Sequence, residues 1–235
     1  MVESSDKEYQ SAKLIKQGRK NIAPEFKNIA DWISKKYSVN VINICHELMT
    51  NMDKIRLGIA VEFGDEYLKF KEEDNWWSNY DKKIQDEIAE KYIELNKTLN
   101  LKSTKKIFGL IERNEKLKPS DIFISTSAFE PIAKEEVNTN IPEQRIEKLK
   151  LSFDLPQIWT ISRCFGSATL FVFNNEQKVK FENSSELKKI ENDYFKLLKE
   201  YDEFDYIKRD KFNIGLDSKQ NFDDNYESNW YYYYK

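Results

Sequence analysis

Ile55, Leu57, Ile59, Val61 and Phe63 alternate with Lys54, Arg56, Gly58, Ala60 and Glu62, the period-two pattern of a strand with one buried face. Gly64-Asp65 then precedes Tyr67, Leu68 and Phe70, which predicts a hairpin return. Upstream, Val39, Val41, Ile42, Ile44 and Cys45 are rich in β-branched residues and predict a neighbouring strand. Pro24 at a first helical position, followed at spacings of three and four by Phe26, Ile29, Ile33 and Tyr37, predicts an amphipathic helix before them.

The same order recurs further along. Ile84, Ile88, Tyr92, Leu95 and Leu99 step by four, four, three and four, and predict the longest helix. Short strands are expected at 107–111 and 122–125, and a helical stretch at 129–150, interrupted at 138–142, where Pro142 starts a second segment. Runs 158–164, 168–173 and 178–181 predict a meander, with 174–177 supplying turn residues. Leu187, Ile190, Tyr194, Leu197 and Tyr201 predict another helix, with Asn183 in the capping place and Glu186 three residues on. Two alternating runs, Phe212, Ile214 and Leu216, then Trp230, Tyr232 and Tyr234, predict a final pair of strands, with Tyr231 and Tyr233 on the other face of the last one.

Helix, strand, strand thus appears about four times, which predicts an α+β fold with a largely antiparallel sheet and helices packed on its faces. The connections are short. They favour a single α+β domain over 22–235, with room for two lobes meeting near 114–120, preceded by a polar charged segment at 1–21.

Composition narrows the class. The 235 residues carry 34% charged and 40% apolar side chains, 14% aromatics and few Gly or Pro, so a packed core is available and disorder is excluded. No segment is apolar enough to span a membrane, and the first residues lack the apolar core of a secretory signal, so the expected location is the cytoplasm. Net charge is -3, far from the basic balance of a nucleic-acid binder, so neither nucleic acid nor membrane is expected as a partner.

One histidine and two cysteines exclude a four-ligand Cys/His zinc site and any two-histidine mechanism, and no metal or cofactor site is predicted. His46-Glu47 begins a zincin-like string, but Met49 and Thr50 stand where it would continue. Cys164 with His46 is a candidate thiolate-imidazole pair; against it, Cys164 lies in a predicted strand, and both Cys45 and Cys164 read as reduced, buried and structural. Asp202, Glu203 and Asp205 are the best local cluster for a carboxylate-dependent, nuclease-like hydrolase. The Glu-x-Lys element Glu25 to Lys27 falls at a helix start rather than on a strand, which argues against that reading.

Charge is unevenly spread. Positions 62–74 hold six acids and two lysines, and positions 199–228 hold nine acids and five bases. Aromatics interleave with both: Tyr67, Trp76 and Trp77 near the first, and Tyr206, Phe222, Tyr226 and Trp230 to Tyr234 near the second. Aromatics ringed by acids suit a protein partner with a basic surface, because aromatics anchor interface centres while complementary charge speeds encounter. The expected contact residues are Asp202, Glu203, Asp205, Asp223, Asp224, Tyr226 and Trp230. The favoured function is a non-enzymatic protein-binding module, with a hydrolase or an accessory subunit of a larger assembly as the alternatives.

In its overall composition the chain resembles bacterial immunity proteins that neutralise polymorphic or contact-delivered toxins. These are small, cytosolic, mildly acidic, rich in aromatics and without catalytic signatures. The resemblance implies masking of a basic toxin or nuclease; it rests on no motif and transfers no site.

Overall fold

The computed structural model describes residues 3–49, 54–98 and 117–235; the predicted strand at 107–111 lies outside the described residues. The chain forms two compact units, Met1–Pro131 and Ile132–Lys235, and the fold is α+β.

In the first unit, α1 (Lys7–Lys16) and α2 (Pro24–Tyr37) precede β1 (Val41–Met49) and β2 (Lys54–Val61); α3 (Gly64–Leu68) and α4 (Lys82–Thr98) follow, and β3 (Ile122–Ala128) completes the sheet. The strand order is β1-β2-β3, with β1 antiparallel and β3 parallel to β2. Pro24 opens α2, and Ser38 closes it in the left-handed region, its N–H returning to the Ser34 carbonyl. Phe26, Ile29, Ala30 and Ile33 of α2, with Ile88 and Ala89 of α4, join Ile44, Leu57, Ile59, Val61 and Ile124 of the strands in one buried cluster.

The expectation of one buried face on β2 needs correcting: from Leu57 to Val61 every residue is buried. The cause is α1, formed within the polar segment 1–21. Glu8 pairs with Arg56 at 2.6 Å, Lys16 with Glu62 at 2.6 Å, and Ser11 accepts from Asn43 at 3.2 Å. Gly58 permits this approach, because a Cβ there would lie 3.0 Å from both Cys45 Sγ and Glu8 Oε1.

The hairpin expected at Gly64-Asp65 is instead the short helix α3. The Glu66 carboxylate decides it: its oxygens accept from the backbone N–H groups of Asn40, Glu62 and Phe63 at 2.8, 3.1 and 3.0 Å, tying the helix start to the strand ends.

Helix α5 (Phe129–Asn140) spans the division between the units. The second unit continues with α6 (Glu143–Ser152), β4 (Ile158–Cys164), β5 (Ser167–Val172), α7 (Asn175–Phe181), α8 (Ser185–Lys199), β6 (Gly215–Ser218), α9 (Lys219–Tyr226) and α10 (Trp230–Tyr233). Its sheet has the order β4-β5-β6, with β4 antiparallel and β6 parallel to β5. Ile190, Tyr194, Leu197 and Leu198 of α8 pack with Ile146, Ile158, Ile161, Leu170 and Val172.

Three local expectations fail here. Residues 178–181 are helical, because Asn174 accepts from the Gln177 N–H at 2.9 Å while Gln177 reaches back to the N–H groups of Phe173 and Asn174. The cap of α8 is Ser184, which accepts from the Leu187 N–H at 3.0 Å; Asn183 precedes it with a left-handed φ of 62°. The expected last strand is helix α10, capped by the Asn229 side chain, which accepts from the Tyr231 N–H at 2.9 Å. The strand expected around Phe212 to Leu216 starts at Gly215.

The two units repeat one topology. Among the described residues each has a helix before an antiparallel hairpin, two helices after it, and a strand parallel to the hairpin's second strand that leads into a further helix. The hairpin register shifts at the same place, between Val41 and Asn43 and between Ile158 and Thr160. Glu66 and Gln177 bridge the same backbone positions, and the Glu130 N–H to Glu62 carbonyl bond has its counterpart from Gln220 to Phe173. A glycine stands on the corresponding rung of each sheet, Gly58 opposite Ser125 and Gly215 opposite Thr169, although what crowds it differs: Cys45 and Glu8 at Gly58, Thr169 at Gly215.

Candidate functional site

Alternation along β4 sends Thr160 and Ser162 to one face and Ile161 and Arg163 to the other. On the second of these faces lies the end of α5. Asn138, fully enclosed, donates through Nδ2 to the carbonyls of Phe165 and Ser167 at 3.0 and 2.8 Å and accepts from the Tyr194 hydroxyl. Arg163 donates to the Asn138 and Ile141 carbonyls at 2.5 and 2.8 Å, capping the negative end of α5, and its other nitrogen reaches Glu143 at 2.6 Å. The β4–β5 turn places Phe165 outward with φ 50° and 63% exposed.

The first face is covered by aromatics. Glu227 and Ser228, both left-handed, turn the chain after α9 and bring α10 back over the sheet. Trp230 stacks on Phe222 at 4.2 Å and on Trp159 at 5.9 Å and meets the fully buried Phe171 edge-on at 5.3 Å. The Tyr234 hydroxyl donates to Ser162 at 2.7 Å and the Tyr233 hydroxyl to Asp217 at 2.9 Å. Burial, followed by the Asp217 carboxylate, raises the Tyr233 phenol well above its ordinary value, so this hydroxyl stays protonated as a donor. Trp230 still leaves 38% of its surface outside.

Between these faces, along residues 160–163 of β4, lies an open hollow of about 390 Å³ bordered by Trp230, Phe165 and Glu143. Of the seven residues expected to contact a partner, Trp230 is the one that lines it. Tyr226 is half-buried, edge-on to Tyr233 at 4.9 Å. Asp223 pairs with Lys219 at 2.5 Å and accepts from Ser228, and Asp224 is exposed beside it.

The other three lie on the loop after α8. The Asp202 side chain is only 2% exposed; it accepts from the N–H groups of Tyr206 and Ile207 and from Lys199, so it holds the loop rather than facing outward. Asp205 pairs with Lys199 at 2.5 Å and with Lys208, which together hold its carboxyl down to about 2. Glu203 is exposed. The sequence cluster Asp202, Glu203 and Asp205 is thus built around lysines, and among the described residues no group of three or more His, Cys, Asp or Glu is arranged to hold a metal.

Cys45 and Cys164 are both free and half-buried, less enclosed than the sequence implies. Burial, then Glu8, pushes the Cys45 thiol up to about 11, and burial, then Glu135, raises that of Cys164. His46 is exposed and rests edge-on against Phe26 at 5.4 Å. In the first unit, Trp76 stacks on Tyr67 at 4.6 Å while Trp77 stands 86% exposed. No helix among the described residues is long and apolar enough to cross a membrane.

Comparison of the chain with protein-family models, with curated proteins and with solved structures gives no match.

Sequence reasoning missed Asn138, Glu143, Arg163 and Phe165. One signal was present: Arg163 interrupts an apolar strand run, and a charge in such a run needs a partner close by.

Proposed function

We propose that the protein is a binding module that masks the basic surface of a protein partner, with the hollow beside Trp230 and Phe165 as the centre of contact. The observation that carries this reading is the grouping of two large, partly exposed aromatics around an open hollow on a rigid sheet. Aromatics in such positions supply most of the energy of protein association. The net charge of -3 and the exposed Glu203 and Asp224, with Glu143 exposed though paired to Arg163, favour a cationic partner, while phosphate would be repelled. Asp202, Asp205 and Asp223 contribute less to this field, since lysines already neutralise them. A basic toxin such as a nuclease, neutralised in the cytoplasm as immunity proteins do, is the partner class that fits.

The test is to co-purify the protein from its native cells, identify what accompanies it, and reconstitute the complex from pure components. Association should slow about tenfold or more between 0.1 M and 1 M salt, as the Debye length shrinks from about 10 Å to about 3 Å. Phe165→Ser, at an exposed turn, should mainly speed dissociation. A partner of acidic surface, or association indifferent to both salt and Phe165, overturns the proposal.

A further inference from the structure

Among the described residues, strand β4 hydrogen-bonds to β5 on one side only, as the outermost strand of its sheet. Alternate residues of any such strand aim their N–H and C=O groups outward, and proteins ordinarily cover, twist or charge these edges. Here the outer edge borders the hollow over four consecutive residues, 160–163, a run of about 13 Å at the usual strand rise. The hollow is open toward both faces of the sheet: Trp230 stands at the Thr160 and Ser162 face, and Glu143 at the Arg163 face. Phe165 closes the end nearest the turn.

Building on the partner-masking reading above, we infer that the hollow receives an extended segment of the basic partner as a fourth strand added to β4. Main-chain bonds to the β4 edge supply register, and the side chains supply specificity, as in other sheets completed by a foreign strand. Since successive side chains of the added strand point to opposite faces, its sequence must alternate. Apolar residues face Trp230, and Phe165 shields them from water at one end. Lys or Arg residues face Glu143, whose side chain is 63% exposed although it also pairs with Arg163. The Thr160 and Ser162 hydroxyls keep the edge polar, so it does not pair indiscriminately with its own kind.

Two other edges, of β1 and β6, differ from this one. The outer run of β1 ends in the exposed His46, Glu47 and Leu48. The four-residue β6 is followed directly by α9.

The experiment uses the full chain and a displayed library of random ten-residue peptides as the probe. Selection should enrich sequences in which Lys or Arg alternates with aliphatic or aromatic residues, and bound peptide should slow amide exchange at residues 160–163. N-methylating the selected peptide at every second amide should weaken binding by about tenfold or more in one phase of the alternation and leave it unchanged in the other, because only one set of amides faces β4. Glu143→Gln should remove the preference for basic residues without abolishing selection.

Enriched peptides that tolerate N-methylation in both phases, protection that falls away from β4, or no enrichment at all would each overturn strand addition. Failure of the partner-masking reading looks different: no basic protein then forms a reconstituted complex. A basic partner that binds but leaves residues 160–163 exchanging freely would sink the strand mechanism alone.

Discussion

Tyr194, on α8, donates its hydroxyl to Asn138 Oδ1, on α5, at 2.7 Å, and both side chains are almost wholly buried. Because Asn138 spends its amide nitrogen on the carbonyls of the β4–β5 turn, this one contact links a helix core to the turn that presents Phe165. Tyr194→Phe keeps the ring packing but strands the Asn138 oxygen. The expected loss is about 1–3 kcal/mol, the usual penalty for an orphaned buried acceptor, read from urea unfolding. An unchanged midpoint would mean that the bond contributes nothing.

Acid should weaken the aromatic cover of the second sheet. Burial acts to raise the Asp217 carboxyl, but the Ser218 N–H, Lys178, Tyr233 and Asn221 all donate to it and hold it below its ordinary 3.8. A carboxyl depressed in the folded state binds fewer protons than the unfolded chain across that window. Its contribution is therefore complete above about pH 4 and is lost as pH falls through the folded value. Melting temperatures between pH 6 and pH 2.5 should drop more steeply for the parent than for Asp217→Asn; parallel curves would refute the assignment.

Gly58 should not accept a branched side chain. A Cβ there already meets Cys45 and Glu8 at 3.0 Å, so Gly58→Val must displace α1 or spread the sheet, at an expected cost of about 1–3 kcal/mol. Limited proteolysis gives a second readout, since an unseated α1 should be cut first. Equal stability and equal resistance would show that α1 is not anchored through this contact.

The thiols should react slowly. With the Cys45 thiol pushed up to about 11, its thiolate fraction near neutral pH lies roughly two orders of magnitude below that of an ordinary cysteine near 8.5. Alkylation of the native protein at pH 7.5, followed by mass spectrometry, measures this directly. Rapid, selective labelling of Cys164 would restore its nucleophile reading.

The long elements were legible in the sequence because repetition over many residues leaves one interpretation. Four or five apolar positions in register name α2, α4 and α8, and eight alternating residues name β2. Runs of three or four do not discriminate, since two alternating positions also fit one helical turn. At Gly64–Leu68, Asn175–Phe181 and Trp230–Tyr233 the decision belongs to Glu66, Gln177 with Asn174, and Asn229, whose side chains hold the backbone at each helix start. The pairings of β3 with β2 and of β6 with β5 were invisible because each joins strands separated by whole helices. At the site, Trp230 was readable as an aromatic among acids. Asn138, Glu143, Arg163 and Phe165 converge only after α5, α6 and the hairpin pack, and Asp202 changes from an apparent surface charge to an enclosed loop anchor for the same reason.

The doubled topology also sorts these residues by what they are for. Whatever appears in both copies, such as the shifted hairpin register and the Glu66 or Gln177 bridge, is grammar that the architecture demands of any sequence adopting it. Whatever appears once is vocabulary. His46 occupies the hairpin position of Arg163, yet it lies exposed against Phe26, while Arg163 closes the end of a helix beside the hollow that Trp230 and Phe165 border. The first unit thus serves as a built-in blank for the second, against which the specialised residues stand out without any relative to align.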